Sequence, residues 1–211
     1  MAKFTQGING PFYGKVGTVV GYMWKGIPVM RALPMTRTKP FTPKELNQQA
    51  KFRLMNWFLS PAKDLLKVTF AHLAGQMSSF NKAFSYNIKN GISGIGADMA
   101  IDYTMVLISR GDLPKAESGA VRSPSPGMLE FSWNDNSGKG KARDTDKAFV
   151  AVFEDTAGQW SFQLDIATRG QGKCEINLEK FSDKPVHGFI GFMSADGKDA
   201  SDSLYVGSVV A

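Results

Sequence analysis

The sequence has little of the residues on which most catalytic and metal sites depend. Its 211 residues include one cysteine, Cys174, and two histidines, His72 and His187, which lie far apart in the chain. An intramolecular disulfide is therefore impossible, and no cysteine–histidine spacing typical of a zinc site is present. Serine elbows, HExxH motifs and phosphate-binding glycine loops are missing as well. We therefore expect no enzyme activity, no catalytic residue, no metal ligand and no cofactor.

Long hydrophobic runs are also missing. No stretch approaches 18 consecutive apolar residues, so we expect no membrane-spanning helix. The first residues have neither the apolar core nor the small-residue cleavage site of a secretory signal, so no cleavable signal peptide is predicted. We accordingly expect a cytoplasmic protein, or one that is part of a virion or another large assembly.

Acidic residues are scarce in the first third of the chain. Residues 1–75 carry eleven lysines and arginines but only two carboxylates, Glu45 and Asp64. Residues 76–118 carry four charges of each sign, and residues 119–211 carry ten basic and thirteen acidic residues. Such asymmetry indicates either a polyanionic partner or head-to-tail association of copies. A solvated, lysine-rich surface without a partner is the alternative interpretation.

Alternating apolar residues are present at the start of the chain, in the segment GKVGTVVGYMWKGIPVMR. This alternation predicts a β-hairpin over residues 12–33, with Gly26 near its turn. Gly17 and Gly21 inside the first strand predict a bulge or a close backbone approach. Pro28 has no backbone N–H, which favours an edge position for the second strand.

Helical periodicity follows a proline-containing linker. Thr42, Pro43 and Glu45 form the pattern of a capping box at a helix start. Apolar residues then recur at helical spacing, and the helix is interrupted at Pro61 before it resumes to about residue 72. The predicted buried stripe of the first helix comprises Leu46, Ala50, Leu54, Trp57 and Phe58. Another helix is predicted to begin at Ser78 or Ser79 and to end at Gly91.

The middle of the chain predicts a strand and then a boundary. Residues 101–109, IDYTMVLIS, have the composition of a strand, and residues 114–127 are rich in proline and serine. We therefore predict two domains: a basic hairpin and helical region over residues 1–118, and a C-terminal β-sandwich over residues 119–211.

Short strands separated by turn signals recur from residue 128 onward, which is the rhythm of an all-β sandwich. Six strands are predicted, and a seventh is expected from residues 119–123 or 101–109. The predicted fold class is mainly β with helices, in which the hairpin and a short helical segment precede an immunoglobulin or fibronectin type III-like sandwich. Trp133 is expected in its core. The six segments are 128–133, 148–154, 160–167, 174–178, 186–194 and 203–210.

The candidate interaction residues are basic and aromatic near the start of the chain and acidic near its end. The strand rings would stack or pack while the cations meet an acidic partner. The candidates are Lys15, Tyr22, Trp24, Lys25, Arg31, Arg37 and Lys39, with Asp196, Asp199 and Asp202 as acidic counterparts.

Two further patterns have weaker support. Asp135, Asn136, Asp144, Asp146, Glu154 and Asp155 could supply oxygen ligands for Ca²⁺, but basic residues interrupt the run and a solvated loop is favoured. Tyr103, Trp160 and Tyr205 would suit a carbohydrate-binding surface if their rings were exposed.

Several motifs along the whole chain resemble one family. They are GxxGxxxGKVGTVVGYMWKGIPVMRALP, TPKELNQQAKF…FL, FNKAFSYNIKNGI, IDYTMVLISRGDLP, FSWNDNSGKG and, from Asp196 to Gly207, DGKxxSDSxYVG. The chain is similar in these motifs to a family of uncharacterised proteins of about this length, found mainly in Bacteroidetes-type bacteria. The resemblance implies no activity and no catalytic residues.

These observations favour a non-enzymatic structural or assembly protein. In this interpretation the basic hairpin of one copy docks on the acidic sandwich edge of another, giving oligomers, a filament or part of a phage particle. A polyanion-binding module, with nucleic acid as its partner, is the first alternative. A carbohydrate-binding sandwich is the second.

Overall fold

The computed structural model describes residues 10–211, apart from the side chain of residue 97. Of the first nine residues it describes the backbone of residues 2 and 3. The chain forms two compact units, Met1–Thr42 and Pro43–Ala211. They are described separately below.

The N-terminal unit is a four-stranded antiparallel sheet with the strand order β1-β4-β3-β2. Its β3–β4 hairpin confirms the predicted hairpin, but a turn at Gly17 and Thr18 divides the predicted first strand into β2 and β3. The two-residue turn consists of Lys25 and Gly26, both in the left-handed region with φ angles of 48° and 78°. That pair of angles is typical of a type I′ turn, whose twist suits a hairpin. The strands are β1 (Ala2–Lys3), β2 (Gly14–Val16), β3 (Val19–Trp24) and β4 (Ile27–Ala32).

The predicted edge position of the second hairpin strand is wrong. Strand β4 lies between β3 and β1, so it is a central strand of the sheet. Among the described residues, β1 pairs with Val29 and Met30, and Pro28 is opposite Met23 of β3.

Three helices begin the larger unit. The first starts at Pro43 and ends before the 3₁₀ turn that contains Pro61, as the sequence predicts. Its buried residues are Met55, Phe58 and Leu59, whereas Leu46 and Trp57 of the predicted stripe are more than two-fifths exposed. None of the helices among the described residues is long and apolar enough to cross a membrane. The helices are α1 (Pro43–Leu59), α2 (Lys63–Thr69) and α3 (Ser79–Asn90).

Local side-chain contacts explain where α3 starts and ends. The Ser78 hydroxyl accepts a hydrogen bond from the Asn81 N–H, at 3.2 Å, and satisfies a donor of the first turn. Gly91 follows the last helical residue, as predicted. A short ladder comes next, in which β5 (Ile92–Ser93) pairs with β6 (Ala100–Ile101).

Residues 101–109 were predicted to be one strand, and this prediction is wrong beyond Ile101. Val106 and Ile108 are buried, as the apolar composition indicates, but the backbone of the segment bonds within its own turn, to isolated backbone groups and to side chains, and not in a strand ladder. Asn87 both donates to and accepts from the backbone of Leu107. The N–H of Ile108 donates to the Ser203 hydroxyl at 2.9 Å.

Seven strands form a sandwich in the second half of the chain. One sheet has the order β11-β8-β7 and the other has the order β10-β9-β12-β13. This three-plus-four division is that of a fibronectin type III-like sandwich, so the predicted fold class is confirmed. The seventh strand comes from the 119–123 alternative. The strands are β7 (Glu117–Ser125), β8 (Met128–Asn134), β9 (Lys147–Glu154), β10 (Gln159–Thr168), β11 (Lys173–Asn177), β12 (Pro185–Met193) and β13 (Leu204–Val210).

The four-stranded sheet is covered on both faces. Val150 and Val152 of β9 point into the sandwich core, which also contains Trp133 as predicted. The alternate residues Phe149 and Phe153 pack in a second core with the three helices. The larger unit therefore has three layers: a sheet, a second sheet and a helical layer.

The chain divides elsewhere than at the predicted boundary of 118. Residues 43–118 share the second core with β9, β10 and β12, so the helices and the sandwich form one unit. The sequence patterns of helix and strand are distinct, but an apolar outer sheet face must be covered, and the helices cover it. The boundary between compact units lies after Thr42.

Candidate functional site

Strand pairing in the N-terminal sheet places four of the predicted interaction residues on one face. Lys15 is opposite Val20, which is opposite Arg31, so one row crosses β2, β3 and β4. Tyr22 and Trp24 follow Val20 at every second position of β3 and therefore share its face. We call Lys15, Tyr22, Trp24 and Arg31 the basic aromatic face.

Cations and rings alternate on this face. The Arg31 guanidinium lies 5.7 Å from the centre of the Tyr22 ring, and the Lys25 ammonium at the turn lies 5.7 Å from the Trp24 ring. Trp24 is 45% exposed, Tyr22 is half-buried, and Lys15 and Arg31 are exposed. Successive rings on a strand lie about 7 Å apart. The face therefore offers both positive charge and stacking surface to a ligand.

Arg37 and Lys39, the remaining basic candidates, follow the last strand of the sheet. The guanidinium of Arg37 donates to the carbonyl oxygens of Lys39, at 2.8 Å, and Pro40, at 3.2 Å. It also lies 4.3 Å from the centre of the Phe41 ring. Both side chains are exposed, but strand pairing does not place them on the basic aromatic face.

The opposite face of the same sheet is apolar. Gly21 lies there, and a Cβ atom at this position would overlap the backbone oxygen and the ring of Phe12. The predicted close backbone approach is thus confirmed at Gly21. Val16 and Met23 share this face by pairing and are 62% and 47% exposed.

The net charge of the chain belongs to the segment that forms the N-terminal unit. Residues 1–42 contain six lysines and arginines and no aspartate or glutamate. Residues 43–211 contain nineteen basic and nineteen acidic residues. The formal net charge of +6 is therefore that of the first unit alone, a sharper division than the charge counts over thirds of the chain suggest.

The three acidic candidates lie in the connection from β12 to β13. Asp196 accepts hydrogen bonds from the Ser194 hydroxyl, at 2.6 Å, and the Lys198 N–H, at 3.2 Å. These donors lower the pKa of Asp196 to about 2. Asp202 accepts from the N–H of Gly111 at 3.1 Å, and Asp199 is half-buried. Asp196 and Asp202 therefore stabilise the local loop structure.

The aromatic residues considered for carbohydrate binding have different positions. Trp160 is buried in the second core, and its indole N–H donates to the Phe58 carbonyl oxygen at 2.7 Å. Its ring is therefore not a surface for a sugar. Tyr103 and Tyr205 are half-buried, and their ring centres lie 6.0 Å from each other beside the ring of His187. No spacing in the sequence connects His187 with these two tyrosines.

His187 is held in a polar aromatic cluster on the helical side of the sheet. Its ring stacks on Tyr103 at 3.7 Å between centroids, and its Nδ1 lies 3.0 Å from the Tyr205 hydroxyl. The Tyr103 hydroxyl donates to Asp155 at 3.0 Å. Burial lowers the pKa of His187, and the Asp155 charge opposes this only in part. In the sequence, the one indication of this cluster is that His187 alternates in β12 with the residues that face the sandwich core.

The residues weighed as calcium ligands are dispersed among structural roles. Asp146 is buried against Arg169, at 3.1 Å. The Glu154 carboxylate is buried, which raises its pKa, but the N–H groups of Ala157 and Thr156 outweigh this effect and the pKa is lowered. Among the described residues no group of three potential histidine, cysteine or carboxylate ligands lies together.

Comparison with protein families gives one match. The model of the family of unknown function DUF6266 matches residues 10–207, nearly the whole chain. No curated protein matches the chain.

Comparison with solved structures gives several matches, among them fibronectin domains. The fn3 domain of the human collagen alpha-1(XX) chain is 11% identical with a TM-score of 0.35, covering 46% of this chain and 82% of that domain. The chicken CNTN1 FN1–FN3 domains are 9% identical with a TM-score of 0.38, covering 48% and 33%. A computationally redesigned β-sandwich is 12% identical with a TM-score of 0.31, covering 46% and 94%. At these scores the fold assignment rests on the strand order described above.

Proposed function

We propose that this chain, which belongs to the family of unknown function DUF6266, is a non-enzymatic docking protein whose N-terminal sheet binds a polyanion. The observation that carries the proposal is the shared face of Lys15, Tyr22, Trp24 and Arg31 in a segment without carboxylates. Phosphate groups would meet the cations, and planar groups would stack on the rings.

The distribution of charge favours a polyanion over the acidic edge of another copy. Residues 43–211 are neutral in sum, so a second copy offers little attraction for the basic unit. Of the acidic candidates, Asp196 already lies 3.4 Å from the Lys198 ammonium, and Asp202 binds a backbone N–H. A new contact to either carboxylate would compete with these partners.

Binding of a fluorescent single-stranded oligonucleotide at several salt concentrations tests this proposal. We expect the logarithm of the affinity to fall linearly with the logarithm of salt concentration. Removing one phosphate contact, by Lys15→Ala or Arg31→Ala, should reduce that slope by about one. Trp24→Ala should weaken binding roughly tenfold while the slope stays the same, because a stacked base is lost and no charge is removed.

Lys173→Ala is the matched control, because it removes an exposed lysine from β11 of the larger unit. It should leave affinity and slope unchanged. The proposal is excluded if the wild-type protein does not bind at low salt, or if the control weakens binding as much as Lys15→Ala. Competition by heparin, which has charge but no bases, shows whether charge alone is recognised.

Self-assembly is the second candidate function, and the exposed apolar side chains of Val16 and Met23 favour it. They lie opposite the basic aromatic face, so copies would associate through one face while the other stays available. Light scattering should then show oligomers that persist in high salt and dissociate in Val16→Ser with Met23→Ser. A monomer at every accessible concentration would exclude this candidate.

A further inference from the structure

A cleft with oppositely charged walls opens between two loops of the larger unit. It has a volume of about 500 Å³ and is bounded by the β8–β9 connection on one side and the β12–β13 connection on the other. Leu113 also lines it. A volume of this size is typical of sites for small molecules.

The charges of the two walls differ in sign. The β8–β9 connection contributes Lys141, Arg143 and Asp146, and the β12–β13 connection contributes Asp196 and Asp199. The Asp146 carboxylate is already paired with the buried guanidinium of Arg169, at 3.1 Å. Lys141 and Asp196 have exposed ionic partners outside the cleft lining, namely Asp112 at 3.8 Å and Lys198 at 3.4 Å.

Arg143 and Asp199 are the remaining charges. Within the described part of the chain, neither side chain takes part in an ion pair. The cleft therefore has one cation and one anion available to a ligand, one on each wall.

Buried interactions hold the basic wall in place. The Arg143 N–H donates to the Asp146 carboxylate at 3.0 Å. Asp146 in turn lies 3.1 Å from the guanidinium of Arg169, which is fully buried and also binds Asn136 of the same connection. The position of Arg143 is thus anchored to the sandwich core.

A compact turn holds the acidic wall. The Ser194 hydroxyl donates to Asp196 and accepts from the Asp199 N–H at 3.0 Å. The Ser194 N–H donates to the Asp199 carbonyl oxygen at 2.9 Å. Both walls are therefore ordered before any ligand arrives, which reduces the entropic cost of binding.

We propose that this cleft binds a small zwitterion, an amino acid or short peptide with free amino and carboxylate groups. The carboxylate would lie against Arg143 and the ammonium against Asp199. A simple anion or cation would be attracted by one wall and repelled by the other, and a neutral ligand would leave both charges without a partner. A zwitterion satisfies both.

Chemical-shift titration of the isotope-labelled full chain with triglycine tests the proposal. We expect the backbone amides of Gly140, Ala142 and Gly197 to shift with triglycine. N-acetylated or C-amidated triglycine should bind more weakly, because each lacks one charge. Arg143→Gln and Asp199→Asn should each reduce the affinity for triglycine by about fivefold to tenfold.

Two designs separate a direct charge role from a general effect. Lys173→Gln and Glu175→Gln, exposed changes on β11, should leave binding unchanged. The double variant Arg143→Asp with Asp199→Arg should regain affinity over the single variants, because a zwitterion can bind in the reverse direction. The proposal is overturned by the absence of shifts with triglycine, by equal binding of the capped peptides, or by no recovery in the swapped variant.

Discussion

Arg169 lies with its side chain fully buried, and its neighbours account for that position. Its guanidinium binds Asp146 at 3.1 Å and the Pro114 carbonyl oxygen at 3.1 Å, and lies 3.8 Å from the centre of the Phe192 ring. Its own carbonyl oxygen accepts from the Trp133 indole at 2.8 Å. One residue therefore connects two loops to the core of the sandwich.

Replacing Arg169 should destabilise the larger unit severely. Arg169→Ala leaves the Asp146 carboxylate buried without its partner, and we expect a loss of roughly 3–5 kcal/mol in the free energy of unfolding. Urea denaturation followed by circular dichroism measures it. Lys67→Ala is the control, because it breaks an exposed ion pair with Asp64 and should have no measurable effect. Similar losses in both variants would contradict this account.

His187 should make stability depend on pH. Burial lowers its pKa in the folded state below the ordinary value of 6.5. Between the two pKa values the unfolded chain binds more protons, so the free energy of unfolding decreases as pH falls below 6.5. The contribution of His187 to this free energy becomes constant below the folded-state pKa. In His187→Gln the free energy of unfolding should change less between pH 6.5 and the folded-state pKa, because this contribution is missing. Denaturation of both proteins at several pH values measures the change, and the same pH dependence in the variant and the wild type would contradict the assignment.

Strand β12 contains two glycines that face different layers. Gly191 faces the helical side, where a Cβ atom would lie 2.7 Å from a ring carbon of Phe149. Gly188 faces the sandwich core, where a Cβ atom would lie 3.0 Å from Phe131 and 3.1 Å from Val206. The first contact requires a buried ring to move, whereas the second requires shifts of only a few tenths of an ångström.

Gly191→Ala should therefore be more harmful than Gly188→Ala. We expect Gly191→Ala to lower the free energy of unfolding by about 1–3 kcal/mol through overpacking. Gly188→Ala should lower it less, because its Cβ atom requires smaller shifts of its neighbours. The restriction of the unfolded chain by alanine, which is the same in both variants, can then offset much of this smaller cost. Urea denaturation of the two variants under identical conditions measures the difference. The reverse order would show that the helical layer repacks more easily than the sandwich core.

The sequence predicts elements well where local pattern decides the structure. Strands β8 to β13 follow from alternation and turn residues, and the Lys25-Gly26 turn follows from local sequence. The predicted strand at 101–109 fails because its backbone bonds partly within a turn and partly to distant side chains such as those of Asn87 and Ser203, which no local pattern identifies.

Contacts between distant residues limit what the sequence predicts about sites. Tyr103 stacks on His187, 84 positions further along the chain, and Arg169 reaches Asn136 and Asp146 in another connection. The central position of β4 depends on β1, whose two residues have no strand pattern of their own. Spacing in the sequence gives no information on these arrangements.

For the whole molecule, the three-layer unit predicts which fragments fold. Residues 43–211 retain both hydrophobic cores and should fold as one cooperative unit. Residues 119–211 alone would expose Phe149, Phe153 and Phe189 of the second core, and we expect aggregation or loss of cooperative unfolding. Near-ultraviolet circular dichroism and thermal unfolding of both fragments provide the measurement. A soluble, cooperatively folded 119–211 fragment would support the boundary at 118 instead.

Strand β9 has neighbours on every side. It pairs with β10 and β12, and every residue after Lys147 in the strand is buried. Its backbone amides can exchange with deuterated solvent only when the sheets and the helices separate. Hydrogen–deuterium exchange of these amides should therefore be the slowest in the larger unit. The protection of these amides would thus report the global opening free energy of residues 43–211 directly, without any denaturant.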